Sequence, residues 1–171
     1  MAISGQPIRR KEDLRFITGK GRYTDDVNLP DQCHAIFARS PVAHANITNI
    51  DTTVASGMPG VRLVLTGTDY AESGLGTLIC GWMIHSKDGG EMKSGVHPPL
   101  AQGKVRYVGE PVAVVIADSR QMARDAAEMV DVEYEELAAV ASSESAAGHK
   151  SSVHNDIPGN VAFDWELGNK E

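Results

Sequence analysis

Cysteine is scarce in this sequence. The 171 residues contain two cysteines, Cys33 and Cys80, and neither belongs to a C-x-x-C pair. Zinc sites and disulfide frameworks need several cysteines at characteristic spacings, so the sequence encodes neither. We expect the two thiols to behave as small hydrophobic side chains that are buried or partly buried.

Long apolar runs are also absent. The apolar stretch VAVVIA (112–117) is far shorter than the roughly 20 residues of a membrane-spanning helix. The N-terminal stretch MAISGQPIRRKEDLRF has no apolar region of the kind found in secretory signals. We therefore expect a cytoplasmic protein without a membrane span.

Local motifs for catalysis or metal binding are missing too. No two of the six histidines stand at the H-x-H or H-x-x-x-H spacing of a metal site. The stretch GKGRY (19–23) lacks the third glycine of a dinucleotide fingerprint and the Gly-Lys-Ser/Thr ending of a phosphate-binding loop. The pair Asp25-Asp26 is more typical of a turn than of a cation site. The residues alone therefore assign no catalytic, cofactor-binding or metal-binding position.

Basic charge is concentrated at the N-terminus of a chain whose net charge is −7. The first 22 residues carry six basic and two acidic side chains. We interpret residues 1–32 as an extended N-terminal arm with turns, which either docks on an acidic partner or nucleic acid or is simply solvated. This charge is well short of the basic footprint of a nucleic-acid-binding protein, so we expect no nucleic-acid partner.

Alternating and periodic patterns predict an α+β domain over residues 33–137, with a mixed sheet. The predicted strands are 33–40, 45–51, 61–66, 106–108, 112–117 and 131–137. Asp51 can cap a short helix at about 52–57. The main helix, at about 119–130, follows Asp118 or Ser119 as its cap. Its apolar face comprises Met122, Ala123, Ala126, Ala127, Met129 and Val130. The uninterrupted VAVVIA stretch is typical of a central strand that is covered on both faces.

Two segments lack these patterns. Residues 72–103 contain seven glycines and predict a long Gly-rich loop, and loops of this length are often functional or partner-facing. Residues 138–171 predict a linker followed by the truncated start of a further region. Phe163 and Trp165 have no local apolar partner in that region, so we expect both to be exposed.

Glu110 is the one acidic residue whose position raises a question of function. It lies in VRYVGEPVAVVIAD (105–118), in a Gly-Glu-Pro break between two predicted strands. Pro111 restricts φ at a strand entry, which favours a role in the turn. The alternative is a catalytic acid, because buried carboxylates with perturbed pKa values often are catalytic.

The order of the segments resembles the N-terminal part of the molybdopterin-binding large subunit of the xanthine dehydrogenase and aldehyde oxidase family. The nearest branch looks like the aerobic carbon monoxide dehydrogenase large subunit. The matching stretches are RRKEDLRFITGKGRYTDDVNLP (9–30), RSPVAHANITNID (39–51), MPGVRLVLTGTD (58–69), the run from HPPLAQG to VEYEEL (97–137) and VHNDIPGNVAFDWELG (153–168). The Gly-rich loop at 72–96 is the part without a match. The resemblance implies the α/β-hammerhead domain.

The chemistry that the resemblance implies belongs to the whole family enzyme. Such a parent is a molybdenum-dependent oxidoreductase that oxidises or hydroxylates its substrate with water. Its molybdopterin, expected in the cytosine dinucleotide form, is held by the C-terminal part of the large subunit. FAD and two [2Fe–2S] clusters lie on the medium and small subunits. The family's catalytic glutamate and molybdopterin motifs do not occur in these 171 residues, so Glu110 is not matched to a catalytic position.

Two hypotheses follow for the chain itself. In the first, it is a non-catalytic hammerhead domain, whose arm at 9–22 and loop at 72–103 contact the C-terminal molybdopterin domains and the partner subunits. In the second, it is a free-standing, non-enzymatic interaction domain that uses the same fold. The C-terminal stretch FDWELGNKE discriminates between them, because it lacks the capped or packed character of a natural end. We therefore expect the natural chain to continue.

Overall fold

The computed structural model describes residue 5 and residues 7–148 and 150–168. Contacts between Cα atoms divide the chain into two units, residues 1–32 and residues 33–171. The first unit contains a short helix, α1 (Asp13–Ile17), and a 3₁₀ turn at Thr24–Asp26. Asp13 accepts hydrogen bonds from the backbone N and the Nε of Arg10, at 3.0 and 3.1 Å. The sequence predicts turns in this region but not the helix.

The described part of residues 33–171 forms two small sheets and four short helices. The strands are β1 (His34–Arg39), β2 (Ala45–Asp51), β3 (Val61–Thr66), β4 (Lys104–Val105), β5 (Pro111–Ala117) and β6 (Asp131–Glu136). The helices are α2 (Thr53–Ser56), α3 (Gly67–Glu72), α4 (Arg120–Ala127) and α5 (Ser143–Ala146). The α+β class is confirmed, and the predicted mixed sheet resolves into two three-stranded sheets whose ladders are antiparallel.

The first sheet has the order β1–β5–β3, so β5 is its central strand, as its apolar sequence predicts. Ala113, Val115 and Ala117 on one face of β5 are fully buried. Val114 and Ile116 on the other face are half-buried, so the coverage of the two faces is unequal. Helix α4 packs against β1 and β5 through its fully buried Ala123 and Ala126.

The second sheet has the order β4–β2–β6. One cluster of buried residues joins the two sheets, because it combines Ala45 and Val105 of the second sheet with Val112 of β5 and with Ala101. The register between β1 and β5 shifts beside Arg39, which leaves Val112 as an extra residue. This β-bulge lies immediately after Glu110, and bulges of this kind redirect the side chains next to them.

The main helix has one of its two predicted caps, and it differs from the prediction in its C-terminal end and in its buried face. It ends at Ala127 rather than near residue 130. Its N-cap is Ser119, whose Oγ accepts from the backbone N of Met122 at 3.2 Å, while Asp118 pairs with Arg62 instead. Met122 and Met129 are 41% and 46% exposed, so only Ala123 and Ala126 of the predicted apolar face are buried.

Two other local predictions are wrong. The strand predicted at 106–108 lies two residues earlier, in β4, and residues 106–110 form a turn. Cys33 and Cys80 are exposed rather than buried.

Helix α3 is absent from the sequence prediction, although the sequence carries a signal for it. Thr66 and Asp69 form a capping box, in which the backbone N of Thr66 donates to Oδ2 of Asp69 at 2.7 Å. The T-x-x-D pattern is the signature of such a box.

Candidate functional site

The turn that carries Glu110 places a charged side chain in a buried position. Glu110 is 4% exposed, and its Oε2 accepts a hydrogen bond from the backbone N of Arg106. Its Oε1 lies 3.9 Å from Nη1 of Arg106, which also donates to the carbonyl of Lys104 at 3.3 Å. A buried carboxylate is stable only when such partners compensate for its lost hydration. Here the partners lie within six residues of it in the chain.

Ser40 fixes the backbone of the same turn. The backbone N of Ser40 donates to the carbonyl of Glu110 at 2.9 Å, and the backbone N of Gly109 donates to the carbonyl of Ser40 at 2.8 Å. Nη1 of Arg39 adds a hydrogen bond of 2.8 Å to the carbonyl of Gly109. Gly109 has φ of 87°, which favours glycine. The segment is therefore fixed against the end of β1.

The chemistry available to Glu110 follows from these contacts. Both of its carboxylate oxygens face Arg106, and no nucleophile or second carboxylate is hydrogen-bonded to either oxygen among the described residues. General acid–base catalysis requires a group within reach of the proton that it transfers. The arrangement supports the interpretation that Glu110 serves the turn.

His44 is a second buried polar side chain, with 4% exposure. Its Nδ1 lies 2.9 Å from the carbonyl of Ala138, which can only accept, so Nδ1 carries the hydrogen. Its Nε2 is buried and has no hydrogen-bond partner among the described residues. His44 therefore attaches the start of the 138–152 linker to β2. The spacing of the histidines in the sequence bears only on metal binding and gives no signal of this role.

Tyr134 of β6 packs beside these groups. Burial raises the pKa of its phenol, and a hydrogen bond with the Ser40 side chain opposes that shift. The Ser40 hydroxyl also donates to the carbonyl of Val42 at 2.9 Å. The buried and half-buried polar side chains in this region thus make structural contacts near the ends of β1 and β2. They are Ser40, His44, Glu110 and Tyr134.

The Gly-rich loop contains a small hairpin, which we call the loop hairpin (residues 84–92). His85 and Glu91 form an isolated antiparallel bridge, and the backbone N of Met92 donates to the carbonyl of Ile84 at 3.0 Å. The turn of the hairpin closes through a hydrogen bond of 2.8 Å from the backbone N of Ser86 to the carbonyl of Gly90. This part of the loop is therefore locally ordered.

The loop hairpin contacts the segment at 150–164, which we call the outgoing segment. Nζ of Lys87 lies 2.6 Å from Oδ2 of Asp164, and the backbone N of Lys87 donates to the carbonyl of Asp164 at 2.7 Å. The backbone N of Lys93 donates to the carbonyl of Ala162 at 3.0 Å. The contact residues are about 70 positions apart, so no local sequence signal reveals them.

A second contact brings His154 of the outgoing segment against Gly95 of the loop. A Cβ on Gly95 would lie 2.8 Å from Nδ1 of His154, so only glycine leaves room for the ring. Partial burial, first, and the nearby Arg106 guanidinium, second, lower the pKa of His154. His154 also lines a cavity of about 400 Å³ between the loop and residues 140–162.

Metal-binding clusters and membrane-spanning helices are both absent from the described residues. These residues contain no group of three or more His, Cys, Asp or Glu side chains that could hold a metal ion. No helix in the described ranges is long and apolar enough to cross a membrane.

Comparison with known proteins shows which family the chain belongs to. The model of the aldehyde oxidase and xanthine dehydrogenase a/b hammerhead domain matches residues 18–138. The chain belongs to this family. The hammerhead domain that the resemblance implied is therefore confirmed.

Relatives of this hammerhead domain are large subunits of oxidoreductases. The large subunit of nicotine 6-hydroxylase from Paenarthrobacter nicotinovorans is 40% identical over 94% of this chain and 19% of that protein. The carbon monoxide dehydrogenase large chain from Hydrogenophaga pseudoflava is 37% identical over 99% of this chain and 22% of that protein. In the crystal structure of quinoline 2-oxidoreductase from Pseudomonas putida 86, the match has a TM-score of 0.75 at 41% identity. It covers 91% of this chain and 19% of that one.

The hammerhead chain thus spans only about a fifth of the length of the curated relatives that it matches. The described residues of the chain include many large apolar side chains that are exposed. Those in the Gly-rich loop are Leu75, Leu78, Ile79, Trp82, Met83 and Val96. Phe163 and Trp165 are 39% and 57% exposed, as their lack of local partners predicts.

Proposed function

We propose that this chain is the hammerhead part of the large subunit of a molybdenum-dependent hydroxylase or dehydrogenase. In this proposal it serves structure and subunit contact, and catalysis occurs elsewhere in the parent enzyme. The observation that carries the proposal is the family match over residues 18–138, in a chain that spans a fifth of its relatives. Both carboxylate oxygens of Glu110 face Arg106, which supports a non-catalytic role for the buried turn.

The cofactors are assigned to other parts of the parent. A [2Fe–2S] cluster requires four ligands, generally cysteine thiolates, and this sequence has two cysteines. We assign the molybdopterin, in its cytosine dinucleotide form, to the remainder of the large subunit. FAD and the iron–sulfur clusters are assigned to a medium and a small subunit. Two cysteines do not fit a [2Fe–2S] cluster, and we derive no cofactor chemistry from the residues of this chain.

Two surfaces of this chain are proposed to contact the rest of the enzyme. The first is the basic arm at 9–22. The second is the uncharged stretch at 73–84 of the Gly-rich loop, where Ile79 and Trp82 are 91% and 80% exposed. Apolar surface of this kind is typical of permanent interfaces. We also propose that the domain boundaries lie at 32/33 and 137/138. The proposed location is the cytoplasm.

The names of the relatives define the substrates to screen. They include nicotine, quinoline, carbon monoxide and aldehydes. We therefore propose that the parent oxidises an N-heterocycle, carbon monoxide or an aldehyde. Electron-acceptor assays with one representative of each substrate class distinguish these alternatives.

The decisive experiment uses the native protein from its source cells. The intact mass of the polypeptide that carries this sequence is measured, together with the molybdenum, iron and flavin content of its complex. The proposal expects a chain several times longer, with molybdenum present. A chain that ends near residue 171 in a metal-free preparation would overturn the proposal and support a free-standing interaction domain.

A further inference from the structure

We propose that the Gly-rich loop is an intramolecular clamp, which binds the outgoing segment and fixes the path by which the polypeptide leaves the hammerhead. The inference rests on the proposed function, since a fixed exit path matters only if the chain continues into further domains. It assigns a role to the long, Gly-rich loop, which neither sheet requires.

The first contact of the clamp is made by the loop hairpin. It combines the Lys87–Asp164 ion pair at 2.6 Å with backbone hydrogen bonds from Lys87 and Lys93. In the reverse direction, the backbone N of Asp164 donates to Oγ of Ser86 at 3.2 Å. Backbone hydrogen bonds of this kind are the basis of peptide recognition by strand addition. The hairpin therefore binds the outgoing segment mainly through groups that are independent of side-chain identity, and the ion pair sets the register.

The second contact lies ten residues earlier in the outgoing segment. The His154 ring packs on Gly95, which has φ of 64° and so has two reasons to be glycine. Nζ of Lys104 in β4 also reaches Oδ1 of Asn155, at 3.4 Å. The adjacent Ile157 is 6% exposed. The outgoing segment is therefore held at both ends, once by the loop hairpin and once beside the sheet.

Asn160 links the two contacts. Its Oδ1 accepts from the backbone N of Val153 at 2.8 Å, and its Nδ2 donates to the carbonyls of Ser151 and Ala146 at 3.0 and 3.2 Å. Its φ of 58° is in the left-handed region that asparagine tolerates better than most residues. One side chain thus stiffens the segment between the contacts, so loosening one contact should loosen the other.

A charge-reversal cycle in the full natural chain, purified as its complex, tests the clamp. The variants are Lys87→Glu, Asp164→Lys and the double reversal, and hydrogen–deuterium exchange is followed in peptides covering 84–93 and 153–164. Because the pair is exposed, each single reversal should raise exchange in both peptides by about threefold to tenfold, and the double variant should return to within about twofold of wild type. Arg124→Glu is the control, because it also reverses a basic charge, at an exposed residue of α4 that takes part in neither contact. It should leave exchange of both peptides unchanged.

A glycine pair tests the second contact independently. Gly95→Ala should raise exchange at 153–157 by a similar factor. Gly76→Ala, at a loop glycine that also has positive φ (79°) but open space around it, should leave that peptide unchanged.

The clamp is overturned if the double reversal does not restore protection, or if Lys87→Glu loosens the hairpin while the outgoing segment stays protected. Unchanged exchange of β5 peptides verifies that each variant is folded. Molybdenum content and intact mass of the wild-type complex test the proposed function separately, so failure of one idea is distinguishable from failure of the other.

Discussion

Glu110 combines deep burial with a charge, and its neighbours determine what its loss should cost. Glu110→Ala leaves the backbone N of Arg106 without its acceptor and removes the carboxylate that pairs with the Arg106 guanidinium, which keeps only the carbonyl of Lys104. We expect the free energy of unfolding to fall by about 3 kcal/mol. Urea unfolding of the 171-residue chain measures this change. Glu133→Ala, at an exposed position in β6, is the control and should change stability by less than about 0.5 kcal/mol.

The same residue allows a test of its chemical role. Glu110→Gln keeps an oxygen that can accept from the backbone N of Arg106, so the turn should survive. In the parent enzyme we expect turnover per bound molybdenum to stay within about twofold of wild type. A loss of about a hundredfold, with normal molybdenum loading, would instead identify Glu110 as a general acid or base.

His154 should make the clamp sensitive to pH. Its pKa is lowered in the folded chain, mainly by burial and then by the Arg106 guanidinium, with a smaller contribution from His97. Asp156 and Glu110 oppose the shift, and Lys93 lines the same cavity. Because the open state binds the proton more readily, the clamp is weakened as pH falls below the ordinary histidine value of 6.5, and the loss levels off below the folded pKa.

The measurement is the exchange of peptide 153–157 at pH 7.5 and pH 5.5, corrected for intrinsic exchange rates. We expect extra opening at the lower pH in wild type. His154→Gln, which cannot take up a proton, should show no such difference. Equal pH dependence in both proteins would show that His154 is not the responsible group.

At the scale of elements, the start of α3 is set by a close approach of two backbones. A Cβ on Gly67 would lie 1.9 Å from the carbonyl oxygen of Ala101. Gly67→Ala should therefore force the backbones apart and lower the free energy of unfolding by about 1–3 kcal/mol or more. Gly57→Ala, where the nearest atoms are at 3.6 Å, should be neutral or slightly stabilising. Thermal unfolding of both variants tests the difference.

Sequence patterns predicted some elements correctly and others wrongly. The segments β5, α4 and β6 were predictable because their patterns are local: an apolar run, an N-cap serine and an alternating strand. The strand prediction at 106–108 is wrong because Tyr107 and Val108 favour strands, whereas the buried carboxylate of Glu110 holds the segment in a turn. The residue that decides that conformation lies outside the predicted strand, so propensity alone could not detect it.

The contacts of the candidate site were less predictable. The Gly-Glu-Pro break marked the turn correctly, but its partner Ser40 lies 70 residues earlier in the chain. The Lys87–Asp164 pair likewise depends on how the loop folds back. The P-G-N signal at 158–160 does predict a turn. It does not indicate that Asn160 bonds three backbone groups.

For the whole molecule, the exposed apolar stretch at 73–84 should be covered in the native complex. Cys80 lies within this stretch and is exposed in the chain, as is Cys33 outside it. We expect a maleimide to label Cys80 in the isolated chain, and labelling in the complex to be slower by about tenfold or more. Peptide mass spectrometry gives both rates, with Cys33 as the internal reference. Equal rates for Cys80 in the two states would contradict the proposed interface.

The close approach of Gly67 to Ala101 also has an evolutionary consequence. The chain departs on its long excursion at Gly67 and returns at Ala101, so the two ends of the excursion touch. An insert whose ends touch can change length with little penalty, because each doubling costs only about 0.6 kcal/mol of closure entropy. We therefore expect residues 68–100 to behave as an exchangeable cassette. A cassette transplanted from a relative should be accepted by the sheets unchanged, provided that the outgoing segment is transplanted with it.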